Sequence, residues 1–209
     1  MTPNPRQTFF DTIAAAWDGW HDLPGQAAKL DAAFRHFGIR PTETVLDIGC
    51  GTGNLTQALL AVLGPDGAVV ALDISPAMLA QAKSKIPDPR VTWCEAPADR
   101  IPGPDASCDR IICFASWPHF ENPDGVLREF RRVLRDGGRV HILHLISKEE
   151  VNRIHASAHP SVRADILAPA AEVAPLFTRA GFTVLETADN ADGYLITALW
   201  QRKEGNSAG

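Results

Sequence analysis

The residues with chemistry to offer begin at Asp47. It sits on a short apolar run, Val45-Leu46-Asp47-Ile48, that breaks into Gly49, Gly51 and Gly53 at alternate positions. From Leu55 to Leu63 the apolar residues recur at helical spacing. Strand, glycine turn and helix in that order make a Gly-rich motif informative. Glycine lets a ligand approach the backbone without a Cβ in the way, and the helix behind the turn offers unpaired N–H groups. A dinucleotide fingerprint wants glycine at its first, third and sixth places. Here the sixth place is Asn54, and the third glycine comes one residue early. The triphosphate-binding pattern needs Gly-Lys-Ser/Thr, and no lysine is present. Asp47 would repel a pyrophosphate and suits a cationic ligand with an amine and a sulfonium. A second acid, Asp73, ends the apolar run 68–72, about twenty residues on, where a ribose hydroxyl pair is bound in such folds.

The other reactive side chains form weaker patterns. His155 and His159 have metal-ligand spacing on a helix, but Pro160 follows at once and the glutamate of the zinc-protease motif is absent. Strand spacing sends His141 and His144 to opposite faces. No metal is expected. Cys50, Cys94, Cys108 and Cys113 show no Cys-x-x-Cys spacing and read as reduced thiols. Cys50, with no partner cysteines, reads as a small buried residue rather than a thiol catalyst.

The elements that must hold these residues alternate. Strands are expected at 44–48, 68–72, 91–95, 108–114 and 139–145, with helices near 54–63, 75–86 and 123–134 between them. Short loops between them predict a mostly parallel, doubly wound sheet. Two helices, 8–20 and 26–37, precede the first strand. Trp17-Asp18-Gly19-Trp20-His21 ends the former, with Asp18 and His21 read as caps. After 145 come helices at 147–158 and 169–180, then strands at 182–186 and 194–202 around the turn-rich run 189–193. Residues 205–209 are expected to fray.

The chain resembles the class I S-adenosylmethionine (SAM)-dependent methyltransferases, most closely the small-molecule type that includes the ubiquinone/menaquinone-biosynthesis enzymes. Leu46-Asp47-Ile48-Gly49-Cys50-Gly51-Thr52-Gly53 and Leu72-Asp73-Ile74-Ser75-Pro76-Ala77-Met78-Leu79 carry the likeness, with two further blocks extending it over residues 45–145. The resemblance implies an α/β, Rossmann-like, seven-stranded mostly parallel sheet with an antiparallel last strand beside the fifth and helices on both faces. It implies one domain over 1–209: a helical lid (1–40), a SAM-binding core (41–146), and substrate-side helices with a C-terminal hairpin (147–209).

It also implies roles. Asp47, Gly49, Cys50, Gly51 and Gly53 would lie against the amino-acid end of SAM. Asp73 would hold the ribose hydroxyls, and Ile74 and Met78 would pack on the adenine. Phe114 would stand at the tip of the fourth strand. The block 91–102 departs from the family: Pro97 replaces the aspartate that usually takes the adenine amino group. Ala98 keeps its N–H, and Asp99 is left as a substitute acceptor. In the post-strand-four block, His119 is a candidate base or substrate contact. Trp17, Trp20, His21, Trp117, His119, His144 and His155 are the expected acceptor pocket.

Composition limits the partners. Of 209 residues 45% are apolar and 22% charged, with net charge −5. No apolar run reaches the roughly twenty residues of a membrane span, and the first residues carry no leader-like apolar stretch. A nucleic-acid partner usually needs a basic face. The expectation is a cytoplasmic enzyme, monomer or homodimer, that methylates a small molecule by in-line displacement. Methylation of a protein or RNA, and a non-catalytic SAM-binding accessory protein, remain the alternatives.

Overall fold

Alternation along each strand decides which layer a side chain joins. Val45 and Ile112 pack with Leu30, Phe34 and Phe37, whereas Leu46, Ile48, Ile111 and Cys113 pack with Leu127, Phe130 and Phe177. A computed structural model describes residues 4–202 and shows the resulting three layers. Strands β1 (Thr44–Ile48), β2 (Ala68–Asp73), β3 (Val91–Glu95), β4 (Cys108–Phe114), β5 (Leu134–His144), β6 (Thr183–Asn190) and β7 (Gly193–Leu199) form one seven-stranded sheet ordered β3-β2-β1-β4-β5-β7-β6. β7 runs antiparallel to β5 and β6, and the other pairings are parallel. Helices α1 (Pro5–Ile13), α2 (Leu23–Phe37), α3 (Asn54–Val62) and α4 (Pro76–Lys85) precede β3. Helices α5 (Pro123–Val133), α6 (Lys148–Ala156) and α7 (Ala170–Arg179) follow β4. The side chains of α2 and α3 cover one sheet face, and those of α5 and α7 cover the other.

The strand order reverses between β1 and β4, the switch point outside whose carboxyl ends ligands bind in open α/β sheets. Local chemistry fixes the elements around that point. Ser75 caps α4 by accepting from Met78 N, with Pro76 at its first position. Asn122 caps α5 through Gly125 N, and Ser147 caps α6 through Glu150 N.

Several boundaries differ from the sequence reading. The helix expected over 8–20 is α1, which starts earlier because Asn4 accepts from Arg6 N and Gln7 N. It stops at Ile13, and Trp17–Trp20 is a separate 3-10 turn. Asp18 caps neither helix; Asp22 caps α2 through Gly25 N. The first hairpin strand runs on to Asn190, the second ends early at Leu199, and only Ala191-Asp192 joins them, where Asn190 Oδ1 accepts from Asp192 N. β5 gains an early pairing, Leu134 with Cys108, before a register shift to Arg139 with Arg110. Residues 205–209, expected to fray, lie outside the described residues. No helix among those described is long and apolar enough to cross a membrane.

Candidate active site

The tips of β1, β2, β3 and β4 meet α1 and the Trp17–Trp20 turn around a cavity of about 390 Å³. Each wall follows from a local feature. At the tip of β1 the chain turns through Gly49 at φ +71°. A Cβ there would lie 2.5 Å from that of Ser116, whose hydroxyl donates to Ile48 O at 2.7 Å. The β1 turn and the loop after β4 therefore close on one another.

Asp47 is 1% exposed. Thr56 Oγ1, on α3, donates to its Oδ2 at 2.6 Å, while Oδ1 has no partner among the described residues. Burial, reinforced by the nearby charge of Asp73, pushes the Asp47 carboxyl up to about 7 despite the Thr56 bond. Asp73 accepts from Gly51 N and Ser75 N, both at 2.8 Å. Burial raises it as well, and those two backbone bonds work in the opposite direction. Each of its oxygens keeps a second lone pair. Two buried acids beside a turn rich in N–H groups favour a ligand bearing positive charge. The Cys50 thiol is pushed up by burial and by both carboxylates, so it is not a nucleophile.

Asp47, Gly49, Cys50, Gly51, Asp73, Ile74, Met78, Ala98, Asp99 and Phe114 all line the cavity. Gly53 does not. It caps α3 at φ +84°, and a Cβ there would meet Ile86 Cδ1 at 2.8 Å, so its place is in packing against α4. Of the expected acceptor pocket, Trp17, His21 and His119 line the cavity and the other four do not. Trp20 is 60% exposed. Trp117 turns inward, its ring 5.5 Å from Phe177, because the 3-10 turn Trp117–His119 sends the tryptophan to the core and the histidine to the cavity. His144 is buried against Tyr194, its Nε2 without a partner among the described residues, and burial lowers it to about 3. His155 Nδ1–H donates to the Asp165 carbonyl, and its ring stands 5.0 Å behind His119.

Several contributors carry no sequence signal. Asp11 of α1 accepts from Ser75 Oγ at 2.6 Å and from Ala77 N at 3.2 Å. Asp18 accepts from Thr52 Oγ1 at 2.6 Å, Asn54 Nδ2 at 3.1 Å and Lys85 Nζ at 2.8 Å. These bonds fasten the N-terminal segment across the glycine turn. Phe10, Arg6, Ser116 and Phe120 complete the wall. Among the described residues no cluster of three or more His, Cys, Asp or Glu could hold a metal.

Residues 45–138 match the family model described as a methyltransferase domain. The ubiquinone/menaquinone biosynthesis C-methyltransferase of Hahella chejuensis is 34% identical over 143 residues, covering 64% of this chain and 57% of that protein. The enzyme of the same name from Burkholderia mallei gives the same identity and coverage. The chain thus spans a little over half the length of these relatives. Among solved structures, a chain of the complex between the Haloferax volcanii Trm112 methyltransferase activator and a methyltransferase superposes with TM-score 0.78 at 22% identity, covering 94% of this chain and 98% of that one. A SAM-dependent methyltransferase from Aquifex aeolicus gives 0.68 at 23%, covering 84% and 97%. Sheet order, glycine turn and family match together liken residues 45–138 to the class I SAM-dependent methyltransferases. SAM is the cofactor of that class.

Proposed function

We propose that this chain transfers the methyl group of SAM to a small-molecule acceptor. The observation that supports this most is the bare, buried Asp47 Oδ1 beside Asp73 at the glycine turn. A buried carboxylate oxygen without a donor is costly. An ammonium group satisfies it with hydrogen bond and charge at once, and SAM carries one. When bound, SAM supplies a methyl group already activated by its sulfonium. The chain's task is to orient donor and acceptor and to exclude water, a proximity effect worth several kcal/mol. In this reading Asp73 accepts from the ribose hydroxyls through its free lone pairs. The Ala98 N–H, buried and without a backbone acceptor among the described residues, and the Asp99 carboxylate serve the adenine in place of the missing aspartate at Pro97. Phe10, Trp17 and Phe120 give the acceptor an apolar aromatic wall. The relatives' name adds carbon as the atom methylated.

Calorimetric titration with SAM and with its demethylated product tests the reading. Both should bind, and Asp73→Ala should weaken SAM at least tenfold. Folded protein that binds neither overturns the proposal, and unchanged affinity in Asp73→Ala removes the ribose role. A screen with labelled SAM then separates an enzyme from a binding protein.

A further inference from the structure

A second ionisable cluster stands at the cavity wall, built from parts of the chain far apart. Asp165 comes from the irregular run between α6 and α7. Its side chain is 2% exposed, yet it sits between two cationic partners. His119 Nδ1 lies 2.7 Å from Oδ2. Arg6, from α1, donates through Nε to Oδ2 at 3.0 Å and through Nη2 to Oδ1, and also reaches Glu121. Burial alone would raise the Asp165 carboxyl; the bonds and charges of His119 and Arg6 outweigh it and hold the group down to about 2. An ionised carboxylate only accepts, so Nδ1 carries the proton of that bond. In the neutral ring Nε2 is then a bare lone pair, and it has no hydrogen-bond partner among the described residues. Phe10 packs edge-on against the ring at 5.3 Å, and His155 flanks it at 5.0 Å. His155 is not a rival, because it stands behind His119 and does not line the cavity.

We propose that His119 is the proton acceptor for the methyl acceptor's nucleophile, with Asp165 as its positioning residue and Arg6 holding Asp165 from the N-terminal helix. This rests on the methyl-transfer reading above. The acceptor's X–H proton passes to Nε2 while the freed electron pair, used directly or through a conjugated ring carbon, forms the bond to the methyl carbon. The methyl–sulfur pair stays on sulfur, which becomes a neutral thioether. The positive charge lost from sulfur reappears on the imidazolium, where the Asp165 carboxylate faces it, and the proton then leaves to water. The acceptor class that follows is one whose nucleophile carries a proton. Thioethers and tertiary amines need no base. Arg6 also makes the alignment of His119 depend on α1 being docked.

Nitrogen-15 imidazole NMR on the protein without ligand reads the tautomer directly. His119 should show its proton on Nδ1, and Asp165→Asn should shift the population toward the Nε2–H form. A wild-type Nε2–H tautomer, or one indifferent to Asp165→Asn, overturns the assignment. With tritiated SAM and a panel of simple phenols as probes, His119→Ala should lose on the order of 10²-fold in transfer rate at unchanged SAM affinity. Asp165→Asn, which keeps the shape, should lose rate in kcat rather than KM. Transfer by His119→Ala at the wild-type rate, or no phenol methylated by wild-type protein that binds SAM, also overturns it. Failure of the wild type to bind SAM instead removes the underlying reading, so the two failures are distinguishable.

Discussion

Asp47 has one oxygen bonded and the other bare in a place closed to water, so its folded and unfolded titrations differ. The unfolded carboxyl ionises near 3.9, while burial keeps the native one protonated up to about 7. Between those values the native state binds more protons, so stability falls as pH rises through the window and stays lowered above it. Asp47→Asn removes that loss. The variant should be more stable than wild type at pH 8 by up to about 4 kcal/mol, the gain shrinking toward nothing near pH 4, while its SAM affinity drops. Urea unfolding at the two pH values checks this, and a gain of equal size at both contradicts the burial account. Asp47 and Asp73 were legible because one interrupts an apolar run and the other ends one, and a charge there has few structural uses. Arg6 and Asp165 were not, since they meet across 159 residues of sequence. Trp20 and Trp117 were misjudged for a different reason. Residue type says that an indole wants cover, but only the 3-10 turn decides which side it faces.

At the scale of elements, the β1 turn and the loop after β4 form one joint, and Gly49 is where they touch. Alanine there would be strained by the positive φ and would place a methyl 2.5 Å from the Ser116 Cβ. Relief requires moving Ser116 and breaking its bond to Ile48 O. Gly49→Ala should cost about 1–3 kcal/mol from overpacking and backbone strain, and should weaken SAM binding at least tenfold. Thermal unfolding with calorimetry tests both, and full SAM affinity in the variant would show that the joint does not shape the site. The βα series was readable because buried parallel strands are continuous apolar runs punctuated by glycine and proline. The N-terminal segment was less so. Phe9, Phe10, Ile13, Ala14 and Trp17 keep helical spacing through the point where the helix stops. What stops it is tertiary: Asp11 and Asp18 are drawn to Ser75 and to Thr52, Asn54 and Lys85.

Across the whole molecule, the amino ends of the strands hold the layers together and the carboxyl ends hold the site. The antiparallel place of β7 beside β5 followed from the family resemblance. The polar knot at the amino ends did not, because nothing local announces a buried arginine. Arg110, 4% exposed, donates to Glu43 through Nε at 2.7 Å and Nη2 at 2.9 Å, and to Phe37 O through Nη1 at 3.2 Å. Its Nη1 also meets His141 Nε2 at 2.7 Å, so that nitrogen accepts, and Nδ1–H faces Thr197 Oγ1 at 3.1 Å. Burial, then the Arg110 charge, holds His141 well below its usual range, so the knot contains a neutral imidazole. The knot ties the end of α2 to β1, β4, β5 and β7. Arg110→Ala leaves Glu43 buried with only the marginal Arg40 contact at 3.3 Å, and should cost about 3–5 kcal/mol. The paired change Glu43→Leu with Arg110→Met fills the same space without charge, and should recover most of that loss. SAM affinity should be unchanged in the pair, because Arg110 lies in register with Val45, at the start of β1 and not at its tip. A well-folded double variant that no longer binds SAM would show that the two ends of the sheet are coupled.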